Sequence, residues 1–94
     1  MKISASDQVA GWLVALPPQT KRRVRMALRG LMKGKGDIKG LQGPLEGFNR
    51  LRIGGLRVIY RQVSSSEILL EFACTRDAVY ELYEQILKNR KGQS

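Results

Sequence analysis

Apolar residues recur along the chain with two different periods, and each period predicts an element. Val9, Trp12, Leu13 and Leu16 fall at i, i+3, i+4 and i+7, one helical stripe that stops where Pro17-Pro18 forbids another turn. Ser6 or Asp7 supplies an N-cap oxygen, and the short alternating "KISA" before it reads as a strand. A second helix, about 18–33, buries Val24, Ala27, Leu28, Leu31 and Met32 and turns Lys21, Arg25, Arg29 and Lys33 outward at four-residue steps. The stretch "GKGDIKGLQGPLEG" has five glycines and a proline and predicts a loop, pinned in places by its two leucines. Strands follow at about 47–53, 56–63 and 67–74, the last two joined by "SSS". A final helix over 76–90, capped by Thr75, buries Val79, Leu82, Tyr83 and Ile86. The expectation is one α+β domain over residues 1–94. Two N-terminal helices pack on one face of a small antiparallel sheet, in the order β-α-α-β-β-β-α.

The period of two is sharpest in "FNRLRIGGLRVIYR", residues 48–61. If Gly54-Gly55 form a two-residue hairpin turn, Ile53 pairs with Leu56, Arg52 with Arg57, Leu51 with Val58, Arg50 with Ile59, Asn49 with Tyr60 and Phe48 with Arg61. One face then carries Leu51, Ile53, Leu56, Val58 and Tyr60, a surface for the helices. The other carries Arg50, Arg52, Arg57 and Arg61 with Phe48 and Ile59. Arg52 directly opposite Arg57 destabilises a sheet by some tenths to about 1 kcal/mol. A solvated face accounts for Arg61; the trio Arg50, Arg52 and Arg57 points to a bound phosphate.

Charge supports that expectation. Lys and Arg total 17 against 8 Asp and Glu, a net +9, and the run 21–39 holds eight cations, Arg25, Arg29 and Lys39 among them, against Asp37 alone. A polyanionic partner is expected, nucleic acid ahead of membrane. No apolar run is long enough to span a bilayer and the N-terminus shows no signal-peptide pattern, so a soluble, cytoplasmic protein is expected. A single Cys74 fits a reducing compartment.

The absence of histidine excludes imidazole acid–base chemistry and His-based metal sites, and the scattered acids give no metal-ligand cluster. No metal and no cofactor are expected. Cleavage by placement and charge remains: RNA brings its own 2′-hydroxyl nucleophile, arginines stabilise charge on the phosphorane, and a Tyr, Lys or Glu moves protons. Arg76 and Tyr80 share one helix face, Tyr83 lies in the apolar stripe, and Glu46 precedes the hairpin; each of the last three is a candidate for proton transfer. A plain RNA- or DNA-binding module stands beside this reading, although few aromatic residues offer a stacking platform.

The stretch "LQGPLEGFNRLRIGGLRVIYR", followed by a short Arg-containing turn and "VYELYEQIL", resembles the signature of the RelE/ParE toxin superfamily over nearly the whole chain. The resemblance implies a RelE-like microbial ribonuclease fold and the toxin of a type II toxin–antitoxin pair. It implies a ribosome-dependent, metal-independent mRNA endoribonuclease that inhibits translation and is held by a cognate acidic antitoxin. Arg57 and Arg76 match the family's phosphate-stabilising arginines, Arg50 a basic position, and Tyr80 or Tyr83 the C-terminal tyrosine. Phe48 stands where the best-known branch has a lysine. Arg52, Arg61, Lys39, Arg25 and Arg29 are then expected to bind RNA. The same fold also implies an alternative, a ParE-like inhibitor of DNA gyrase.

Overall fold

The computed structural model describes residues 1–75, 83–85, 87 and 88. Its strands are β1 (Lys2–Ala5), β2 (Asp37–Gly40), β3 (Asn49–Ile53), β4 (Leu56–Ser64) and β5 (Glu67–Cys74), and its N-terminal helices are α1 (Asp7–Ala15) and α2 (Pro18–Met32). They form an α+β domain around one five-stranded sheet in the order β1-β5-β4-β3-β2, antiparallel except where β1 runs parallel to β5. Residues 83–85 and 87–88 are helical. The final helix expected over 76–90 otherwise lies outside the described residues, as do Val79, Leu82 and Ile86 within it.

Ser6 is the N-cap of α1: its Oγ accepts from the Val9 amide at 3.3 Å and donates to the Glu71 carbonyl at 2.8 Å. Helix and sheet edge are thereby fixed by one side chain. Gln8 continues the attachment, donating to the Ala73 carbonyl at 2.8 Å and accepting from its amide at 2.9 Å, beyond the point where β1 stops pairing with β5. These bonds satisfy edge groups that burial would otherwise leave unpaired.

The hairpin register follows the sequence pattern from Ile53–Leu56 to Asn49–Tyr60. Gly54 has φ +59° while Gly55 is not in the left-handed region, the pattern of a type II′ turn. The ladder ends one pair short of Phe48–Arg61; the Phe48 amide donates instead to the Leu45 carbonyl, and its own carbonyl accepts from Leu41.

Burying the alternate face under the helices gives the larger core: Val9, Val24 and Leu31 against Leu51, Ile53, Val58, Tyr60, Ile68, Leu70 and Ala73. Met32, expected in this core, is exposed at the end of α2. Burial raises the Tyr60 hydroxyl above its ordinary value of 10.0. The unfolded chain therefore ionises this group first, so its contribution to stability is full below about pH 10 and is lost as pH rises through the folded value. Tyr60→Phe is expected to remove that part of the alkaline loss, which urea melts of both proteins at about pH 8 and about pH 11 would measure.

Two features correct the sequence expectation. Part of the predicted loop is strand: β2 pairs Asp37 with Arg52, Ile38 with Leu51, Lys39 with Arg50 and Gly40 with Asn49, making a fifth strand. A 3₁₀ turn, Gly43–Leu45, follows it. The opposite sheet face is also not simply solvated. Ile59, Leu45 and Tyr83 are buried there in a second core, with Leu41, Phe48, Phe72, Cys74 and Leu87 packed around them.

Candidate nucleic-acid interface

Strand alternation places Arg50 and Arg52 of β3, Arg57 of β4, and Asp37 and Lys39 of β2 on the second sheet face. Four cations thus share a small area with one carboxylate. The addition of β2 brings Lys39 directly across from Arg50, a proximity that the predicted loop did not disclose.

The arginines differ in how they are held. Arg57 is only 7% exposed, and its Nη1 donates to the carbonyls of Gly54 at 2.8 Å and Leu56 at 3.0 Å. It therefore braces the turn as well as carrying charge, which corrects the expectation that its removal would merely relieve repulsion with Arg52. Arg52 is exposed directly across from it. Arg50 donates from Nη2 to Asp37 Oδ1 at 2.9 Å, while its Nε is buried without a hydrogen-bond partner among the described residues.

Beside this row the sheet carries a β-bulge. Ile59 pairs with Phe72 and Tyr60 with Leu70, leaving Glu71 as the extra residue. The bulge shifts strand parity, so Glu71 and Phe72 both serve the second face while Leu70 and Ala73 serve the first. Glu71 Oε1 accepts from Arg61 Nε at 2.6 Å and its Oε2 accepts from the Tyr83 hydroxyl at 2.8 Å. Tyr83 is 1% exposed, edge-on to Phe48 at 5.4 Å and stacked on Phe72 at 5.7 Å. Around this cluster lies a cleft of about 400 Å³ lined by Glu46, Gly47, Phe48, Arg61, Gln62, Glu71, Tyr83 and Leu87.

The structure thus brings together Lys39, Arg50, Arg52 and Arg57 as one row, and Arg61, Glu46 and Tyr83 as an adjoining cleft. It separates Arg25 and Arg29 from both. They are exposed on α2, which covers the first face of the sheet, and Arg25 instead lines a groove of about 320 Å³ with Leu13, Val14, Lys21 and Leu28. Arg76 and Tyr80 lie outside the described residues. Sequence reasoning missed Asp37 and Glu71. A lone acid within the apolar run "ILLEFAC" was the available signal for the second. Among the described residues no helix is long and apolar enough to cross a membrane.

No protein-family model matches the chain, and no curated protein matches it in sequence. Solved structures match it in shape. The RelB–RelE antitoxin–toxin complex of Methanococcus jannaschii matches with a TM-score of 0.65 at 18% identity, over 85% of this chain and 98% of the other. The toxin–antitoxin complex RelBE2 of Mycobacterium tuberculosis gives 0.63 at 20% identity, over 80% and 96%. A YoeB/ParE toxin from Agrobacterium tumefaciens gives 0.60 at 19%, over 81% and 99%. The fold of this chain is that of the RelE/ParE toxin superfamily.

Proposed function

We propose that this protein is the toxin of a toxin–antitoxin pair, a metal-independent endoribonuclease that cuts mRNA on the ribosome in the cytoplasm. The observation that carries the reading is the row of Lys39, Arg50, Arg52 and Arg57 on one sheet face, with Arg57 immobilised against the hairpin turn. Such a row suits an RNA phosphate at the moment its charge increases. The adjacent 2′-hydroxyl attacks phosphorus, the 5′-oxygen leaves, and guanidinium groups already in place stabilise the phosphorane without reorganising. Arg76 and Tyr80, by their resemblance to family positions, add a further cation and the proton-transfer group. Tyr83 is a tether in this scheme, because its hydroxyl is engaged by Glu71 in a buried site. A cognate antitoxin with an acidic segment is the expected partner, as the two matched complexes each pair a toxin with an antitoxin.

The fold is equally that of a YoeB/ParE toxin, and the second reading is the gyrase inhibition that the sequence resemblance implies for a ParE-like chain. Inducing the protein in cells and mapping mRNA 5′ ends, beside a gyrase supercoiling assay, separates the two. New 5′ ends within translated codons, formed equally in a translation extract whose free metal is chelated to the extent ribosome integrity permits, are the expected result. Inhibited supercoiling with intact mRNA would reject the ribonuclease.

A further inference from the structure

We infer that the cleft beside the arginine row is a nucleobase pocket, and that Glu46 gives it a preference for guanine; the inference rests on the RNA-directed reading above. Phe48 lines the cleft, and it lies two residues of extended chain, about 7 Å, from Arg50 in the row. A phosphate on the row therefore leaves a neighbouring base within reach of the cleft.

Charge sorts the two parts of a nucleotide between the two sites. Among the described residues the row has four cations to one carboxylate, whereas the cleft has Glu46 and Glu71 to the single Arg61. Phosphate is drawn to the first and repelled from the second, and a neutral base suffers no such repulsion. Within the cleft the two acids differ. Glu71 is already committed to Arg61 and to Tyr83, while the Glu46 carboxylate, at the end of the 3₁₀ turn, is exposed and has no hydrogen-bond or ion-pair partner among the described residues.

An ionised carboxylate only accepts hydrogen bonds. Among the four bases, guanine alone presents two adjacent donors, N1–H and the N2 amine, which a carboxylate can engage with both oxygens. Adenine and cytosine present one donor beside an acceptor, and uracil one donor between two acceptors. Arg61, whose Nε is held by Glu71, lines the same cleft and carries further N–H donors suited to O6. The Phe48 ring, braced edge-on by Tyr83, offers an apolar wall for the base.

The test is fluorescence-anisotropy binding of labelled RNA pentamers, identical except for G, A, C or U at the central position, to the intact protein and to Glu46→Ala. The wild type is expected to bind the G pentamer about tenfold more tightly than the others, the discrimination of one good bidentate contact. Replacing that G by inosine, which lacks the N2 amine, is expected to remove most of the preference. Glu46→Ala, exposed and thus compatible with folding, is expected to bind all four alike while holding the A pentamer within about twofold of wild type. Equal affinity of the wild type for all four pentamers, or a guanine preference that survives Glu46→Ala, overturns the pocket while leaving the RNA reading intact. Failure of the wild type to bind any pentamer at low salt overturns both.

Discussion

Arg57→Ala is expected to lower mRNA cleavage by about a hundredfold to a thousandfold, the effect of removing one preorganised charge contact to a transition state. It is also expected to cost stability. The side chain is buried and its Nη1 serves the carbonyls of Gly54 and Leu56, so truncation removes these bonds and leaves the carbonyls to water, a loss of ~1–3 kcal/mol. The two consequences separate experimentally because they enter different measurements. Urea melts give the folding free energy, and cleavage is then compared at a temperature where wild type and variant are both folded. Arg52→Ala provides the contrast: exposed and opposite Arg57, its loss relieves like-charge repulsion and should leave stability unchanged or raise it by some tenths to about 1 kcal/mol. Its effect on cleavage should be smaller than that of Arg57→Ala, since a mobile exposed guanidinium is less preorganised. Cleavage within a few-fold of wild type by folded Arg57→Ala would remove that residue from the site.

The register of the hairpin was legible in the sequence because two local signals agree. Gly54-Gly55 specify a two-residue turn, and the alternation on either side permits only one register that gathers Leu51, Ile53, Leu56, Val58 and Tyr60 on one face. β2 was not legible, since "DIKG" carries no apolar alternation and every residue of it is exposed. Its strand conformation exists through pairing with β3, a long-range interaction absent from local pattern. The bulge at Glu71 was hidden for another reason. In "ILLEFAC" apolar residues fall on both faces, so a one-residue change of parity leaves no trace in the hydrophobic pattern. This is also why the Arg61–Glu71–Tyr83 cluster was missed while its flanking arginines were found. The second core had a visible signal that the arginines outweighed: Phe48 and Ile59 were already assigned to the same face, and two bulky apolar side chains there required a cover.

Ile59→Ala tests whether that second core holds the site together. Ile59 is fully buried and lies on β4 between Arg57 and Arg61, packed in the cluster that contains Leu45, Phe48, Phe72 and Tyr83. Truncation to alanine removes apolar contact and leaves a cavity that the sheet cannot close by itself, because the β3 and β5 neighbours are fixed by ladder pairing to Arg50 and Phe72. The expected cost is ~2–5 kcal/mol, a large part of the ~5–15 kcal/mol that stabilises a domain of ordinary size. Ile59→Val, which removes one methylene, should cost ~0.5–1.5 kcal/mol. The loss should also be spatially selective. Among the described residues Tyr83 and Leu87 belong to this smaller cluster, whereas Val9 and Val24 pack in the core under the other face. Amide exchange in Ile59→Ala is therefore expected to quicken first at 83–85, under conditions in which α1 and α2 keep their protection. The cleft should lose its shape along with that attachment, so any guanine preference of the wild type would weaken in Ile59→Ala and persist in Ile59→Val. Uniform loss of protection across both helical layers, or a destabilisation below about 1 kcal/mol for the alanine variant, would show that the second face is not an independent core.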